Sequence, residues 1–183
     1  MMDSKANQKR KHILNSATQF IIENSFSDLT LEAVAKQAGI SKGGLLYHFP
    51  NKDLLIKGIA EHIFEDVSMN YTELAESDPK VTGKWCRALI ESSKLDLENM
   101  AEQNVGKLAL SLLNLDAAKD ISEMYQSILV KLDKDGIDPI TSTMIRLVID
   151  GLYYSEMLNI APLEKDKQEK IFQRLFQMTE KET

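Results

Sequence analysis

The 183-residue chain has 22 Lys and Arg against 28 Asp and Glu, a formal net charge of −6, with 43% hydrophobic residues, 4 Pro, 8 Gly and one Cys. That length suits one or two domains with a real core. The lone Cys86 excludes an internal disulfide and a Cys-rich zinc site and points to a reducing, cytoplasmic setting. No apolar run approaches the roughly 18 residues of a membrane span. The polar start MMDSKANQKRKH lacks the apolar core of a secretory signal, so no membrane partner is expected. The charge is unevenly spread: residues 1–57 carry a net +3 and the remainder −9, a basic front on an acidic body.

Helical spacing dominates from the start. Ile13, Leu14, Ala17, Phe20 and Ile21 share one face of a predicted helix over 8–24. Thr30 reads as the N-cap of a second helix with Leu31, Val34, Ala35 and Ala38 turned inward, and Gly39 stands where a left-handed C-terminal residue belongs. Ser41 caps a third helix containing Leu45, Leu46 and Phe49. After Pro50, Asn51 caps a fourth with Leu54, Leu55, Ile59 and Ile63. Further helices are predicted at about 80–97, 103–115, 117–133, 139–159 and 163–179, so the fold class is all-α with about nine helices. Asp78-Pro79 and Asp138-Pro139 both have the form of a cap followed by a first-turn proline. Val105, Leu108, Leu112 and Leu115 mark the inner face of the helix near 103–115.

The helix at 139–159 is apolar on two sides. Ile140, Met144, Leu147, Gly151, Tyr154 and Leu158 line one face, and Ile145, Ile149 and Leu152 the other. One side is expected to pack within its own domain while the other meets a partner. The last helix has a broad stripe in Ile171, Phe172, Leu175 and Phe176. A homodimer built on these two helices is the expectation; a larger monomer core is the alternative.

The stretch SKGGLLYHFPNKD, residues 41–53, puts two glycines in a helix, each costing about 1 kcal/mol against alanine. A plain loop is one explanation. The other is that 31–50 forms a helix-turn-helix motif, whose second helix enters the major groove and gains from lacking side chains there. Ser41, Lys42, Gly43 and Gly44 then face DNA at the start of that helix, with Tyr47 and His48 behind them, and Lys52 makes a separate phosphate contact. His48 beside Phe49 and Pro50 also fits a core histidine.

FSDLTLEAVAKQAGISKGGLLYHFPNKDLL, residues 26–55, resembles the DNA-binding domain of the tetracycline-repressor (TetR) family of bacterial regulators, and the likeness extends over about residues 8–64. The resemblance implies DNA contacts at Thr30, Lys42, Gly43, Tyr47, His48 and Lys52. The family usually has tyrosine where this chain has Leu46, so one phosphate contact is lost and Tyr47 with His48 takes its place. It also implies a three-helix DNA-binding domain over 6–66 and a helical effector-binding and dimerisation domain over 67–183. DGIDPITSTMIRLVIDGLYYSEMLNI resembles one type of that second domain, whose last two helices pair across a two-fold axis.

The family further implies a repressor that holds a (pseudo)palindromic operator as a homodimer and leaves it when a small apolar effector binds. Candidate effector contacts are Trp85, Cys86, Leu89, Met100, Leu108, Leu112, Met124, Tyr125 and Ile128, bulky or adaptable side chains that serve equally as core. The alternative is a regulator whose body binds a protein partner. His12, His48 and His62 are scattered and no catalytic or phosphate-loop motif occurs, so no enzyme, catalytic residue, metal or cofactor is expected.

Overall fold

The computed structural model of the chain describes residues 5–98, 100–113 and 118–180. Among these there are nine helices and no strand: α1 (Lys5–Glu23), α2 (Leu31–Gln37), α3 (Lys42–His48), α4 (Lys52–Ser77), α5 (Lys84–Glu98), α6 (Met100–Ser111), α7 (Lys119–Asp133), α8 (Pro139–Met157) and α9 (Lys165–Met178). No helix among the described residues is long and apolar enough to cross a membrane. Leu115 falls in residues 114–117, which lie outside the described residues. The chain forms two compact units. The first takes residues up to Glu65 with Ala101–Ser122; the second takes Asp66–Met100 with Glu123 onward. The sequence alone assigns 101–122 to the body.

In the first unit α1 contributes the fully buried Ile13, Leu14 and Ala17, and α2 packs against both α1 and α3. Thr30 Oγ1 accepts from the Ala33 amide at 3.1 Å, which fixes where α2 starts. Gly39, at φ 64, then reverses the chain. That backbone region is costly for any residue with a Cβ, and it lets the Ile40 amide reach back to the Ala35 carbonyl at 3.0 Å. Val34, Leu45 and Phe49 seal the core between α2, α3 and their neighbours. Asn51 Oδ1 accepts from the Leu54 amide at 2.8 Å and caps α4 as expected. Leu54 itself is exposed; the helix turns Leu55, Ile56, Ile59 and Ala60 inward instead.

Helix α6 departs from the sequence expectation. Val105, Gly106 and Ala109 face inward, while Leu108 and Leu112 are exposed. Gly106 explains the rotation. A Cβ there would lie 2.7 Å from Ile63 Cγ2, so the bare backbone seats directly on α4 and turns the leucines away.

In the second unit α5, α8 and α9 pack on one another. Cys86, Ile90, Leu132, Ile145, Ile149, Leu152, Phe172 and Leu175 form one core cluster. Asp138 caps α8, its carboxylate accepting from the Thr141 amide at 2.8 Å with Pro139 in the first turn, as its sequence suggested. Asp78-Pro79 does not behave the same way, and α5 begins only at Lys84. Its first amides are satisfied from elsewhere: the buried Asp135 accepts from Trp85 N at 3.0 Å and Cys86 N at 2.7 Å. Asp78 instead accepts from Arg87 Nε at 2.6 Å, and Arg87 also donates to the Thr82 and Lys80 carbonyls. The residues between α4 and α5 are thereby folded around a guanidinium.

The Arg87 hydrogen bond holds the Asp78 carboxyl below the usual aspartate range. A carboxyl lowered in the folded state contributes stability above its unfolded pKa, about 3.9, and loses it as pH falls through the lower folded value. Asp78→Asn should therefore lower stability at neutral pH and shallow the acid limb below about pH 4. Chemical denaturation at a series of pH values reads this directly; parallel curves for the two proteins exclude it.

Helix α8 divides as its sequence suggests. Ile145, Ile149, Leu152 and Tyr153 are buried, whereas Ile140, Met144, Leu147, Gly151, Tyr154 and Leu158 are exposed. Helix α9 corrects the expectation in part. Phe172 and Leu175 are 3% exposed and belong to the unit's own core, so they have no surface left for a second copy. Ile171 and Phe176 remain partly exposed.

Candidate nucleic-acid interface

Helix α3 is two turns long and stands on the first unit with only Leu45 and the following Phe49 sunk into the core. The remaining positions form an outward surface. Ser41, Lys42 and Gly43 are exposed at its start, Gly44 and His48 are half-buried, and Tyr47 is 81% exposed. Thr30 and Lys52 are exposed at the starts of α2 and α4. The structure thus brings the starts of α2 and α3 and the aromatic end of α3 onto the first unit's surface.

The two glycines have different roles. A Cβ on Gly43 would meet open space, so nothing within the chain demands glycine there. A Cβ on Gly44 would come within 3.2 Å of Ser41 Oγ, the atom that accepts from the Gly44 amide at 3.1 Å. Gly44 therefore protects the cap of α3, while Gly43 leaves the outer surface bare. Both cap hydroxyls, on Thr30 and Ser41, act as acceptors toward backbone and keep their own proton to donate outward.

Leu46 is half-buried, and the neighbouring Tyr47 carries the exposed phenol, its ring edge-on to His48 at 5.1 Å. Lys42 donates to the Glu32 carboxylate, which that hydrogen bond holds below the ordinary glutamate range. Two residues of α1 hold the first unit together. Arg10 lies over the Phe49 ring at 5.1 Å and 3.6 Å from Glu61. His12 Nε2 is 2.9 Å from the Ala38 carbonyl and ties α1 to the end of α2. Sequence reasoning missed Glu32 as a partner of Lys42, since the two are ten residues apart on different helices. It missed Asp135 for the same reason, although a D-G step at 135–136 marks a turn.

The body residues singled out from sequence scatter. Trp85, Leu89 and Ile128 pack around the core containing wholly buried Cys86. Burial and the adjacent Asp135 carboxylate push that thiol well above its usual range, so it stays protonated. Met100 and Met124 are half-buried, Tyr125 is exposed, and Leu108 and Leu112 are exposed on α6 of the first unit. The second unit carries surface clefts. One, of about 710 Å³, is lined by residues including Asp138, Thr141, Arg174 and Gln177. Another, of about 370 Å³, includes Leu74, Arg87, Ala88 and Phe176. Neither is lined by the nine residues expected to contact an effector. Arg146 and Asp150 pair along α8 at 3.0 Å, an intrahelical contact.

A two-helix motif with a left-handed glycine turn, capped at both helices and outward-facing along the second, defines a helix-turn-helix protein. Residues 13–59 match the family described as bacterial regulatory proteins, tetR family, and residues 83–180 match the tetracyclin repressor-like C-terminal domain. The chain belongs to the TetR family of transcriptional regulators, a family of DNA-binding regulators and not of enzymes.

Among its relatives, the fatty acid metabolism regulator protein of Bacillus subtilis (strain 168) is 30% identical over 157 residues, 82% of this chain and 77% of that protein. The nucleoid occlusion factor SlmA of Marinomonas sp. (strain MWYL1) is 29% identical over 109 residues, 60% of this chain and 53% of SlmA. The chain spans little more than half the length of the SlmA relatives it matches. The multidrug binding protein EbrR, solved in complex with ethidium, shares the fold with a TM-score of 0.66 at 19% identity, covering 95% of this chain and 99% of EbrR.

Proposed function

We propose that the chain is a cytoplasmic repressor that binds a (pseudo)palindromic operator as a homodimer and is released by a small apolar effector. The observation that carries the dimer is the division of α8. Its inner side is filled by Ile145, Ile149 and Leu152, while Ile140, Met144, Leu147, Tyr154 and Leu158 present a continuous apolar stripe to solvent. Stripes of this kind on a soluble chain mark an interface. The partly exposed Ile171 and Phe176 on α9 are proposed to extend it.

On the DNA side Thr30, Ser41, Lys42, Gly43, Tyr47, His48 and Lys52 are the proposed contacts, with Gly44 serving by preserving the Ser41 cap. The division into a DNA-binding domain over 6–66 and an effector and dimerisation domain over 67–183 belongs to the same proposal. Effector binding lowers DNA affinity by favouring a helix spacing that the operator does not fit; the shift equals the effector's differential affinity for the two conformations. Trp85, Leu89 and Ile128 are the proposed effector contacts, because they alone of the expected set gather around one cluster while keeping some exposure.

Lys52 supplies the test. It is exposed at the start of α4. Lys52→Ala should weaken binding to every duplex alike and reduce the salt slope by about 0.9 per subunit, the counterion release of one phosphate contact. A salt titration of duplex affinity with an unchanged slope removes Lys52 from the interface. A second reading, in which the body binds a protein partner, draws on the likeness to the nucleoid occlusion factor SlmA.

A further inference from the structure

Lys42 is the only lysine or arginine on α3, and it is not free: it is paired with Glu32, the sole acid in the first turn of α2. The pair is exposed, with 55% of the Lys42 side chain and 62% of the Glu32 side chain open to solvent. Neither residue is needed to start its helix, because Thr30 and Ser41 already cap α2 and α3. An exposed pair of this kind adds little to folding. It does place a carboxylate beside the surface proposed to meet a polyanion.

We propose that Glu32 is a specificity-determining residue that acts by opposing non-specific DNA binding. This rests on the helix-turn-helix reading of α2 and α3. On a random duplex the useful work of Lys42 is phosphate neutralisation, and a phosphate oxygen must compete with Glu32 for the ammonium. The carboxylate also repels the backbone directly. On the operator the ammonium has a better option. It carries three N–H donors, so it keeps one on Glu32 and turns the others toward the acceptor edge of a guanine, O6 and N7. Glu32 then directs the side chain toward the bases. Selectivity comes from a repulsive element set against the wrong ligand as well as an attractive one for the right ligand. Chemically, the preferred ligand is a duplex presenting guanine in the major groove opposite the start of α3.

The full-length chain tests this with Glu32→Gln, Lys42→Met and the double substitution, titrated by anisotropy against a mixed-sequence duplex over a range of salt, and by selection from a randomised duplex library. Glu32→Gln should bind the mixed duplex more tightly, with a slope steeper by about 0.9 per subunit, and should recover a less restricted set of library sites. In the Lys42→Met background the effect of Glu32→Gln should shrink. Unchanged affinity and slope, weaker binding to the mixed duplex, or an effect of equal size without Lys42 overturns the assignment. The wild-type curve and the Lys52→Ala curve separate this from the broader reading. If wild type binds duplex with a salt slope that Lys52→Ala lowers, a failed Glu32 result removes Glu32 alone. If wild type shows no salt-dependent duplex binding, both fall.

Discussion

Leu147→Glu is expected to leave the chain folded, convert it to a monomer and cost it about 10²- to 10⁴-fold in affinity for a two-half-site operator. Leu147 lies in the middle of the exposed α8 stripe at 55% exposure, between Met144 and Tyr154. The buried side of the helix, Ile145, Ile149 and Leu152, is untouched, and an exposed substitution of this kind changes folding stability by about 0.5 kcal/mol or less. In a two-fold interface each residue of the patch meets the same patch on the other copy. One substitution therefore introduces two like charges into an apolar seam, with nothing to pair them and several kcal/mol of desolvation to overcome. The DNA loss follows from geometry: two joined reading heads make the second contact intramolecular, and separated ones do not. Light scattering gives the mass and an anisotropy titration gives the affinity. A dimer that persists with undiminished operator binding contradicts the assignment of this face.

The largest effect on stability is expected at a residue that touches neither DNA nor the α8 stripe. Asp135 is 4% exposed and its two carboxylate oxygens accept from Trp85 N and Cys86 N, while its carbonyl accepts from Gly83 N at 2.8 Å. It starts α5 from fifty residues away, joining the end of α7 to the helix that packs on both α8 and α9. Asp135→Ala leaves a buried amide donor at Cys86 and a part-buried one at Trp85 without partners, each worth about 1–3 kcal/mol, so a net loss of roughly 2–4 kcal/mol is expected after relaxation. Asp135→Asn keeps one acceptor and should lose less. Chemical denaturation of the three proteins checks the order. A loss below about 0.5 kcal/mol in Asp135→Ala, the range of an ordinary surface substitution, removes Asp135 from its capping role.

These two residues also show what the sequence does and does not disclose. The first unit was legible because its signals are local. Thr30, Ser41 and Asn51 each cap the helix that begins just after them, Gly39 supplies its own turn, and α1 announces its face through Ile13, Leu14, Ala17 and Ile21. The second unit hides more, because its decisive contacts are distant. Asp78-Pro79 has the form of a helix start, yet Arg87 takes the Asp78 carboxylate and Asp135 supplies the real cap. Periodicity finds the apolar faces of α6 and α9 without deciding which part of each face is covered. Gly106 seats α6 on Ile63 and swings Leu108 outward, and α5 and α8 absorb Phe172 and Leu175 from the broad stripe of α9. The candidate DNA surface was readable as a set of positions. Its electrostatics were not, because the pairing of Lys42 with Glu32 depends on how α2 and α3 cross.

Footprinting of genomic fragments recovered with the purified protein, together with the number of chains bound per fragment, tests most directly whether α3 reads DNA in pairs. Two inverted half-sites centred at a fixed spacing, about 34–36 Å where it is one helical turn, and occupied by two chains are the expected result. A single, unpaired site held by one chain, or no protected site at all, contradicts it.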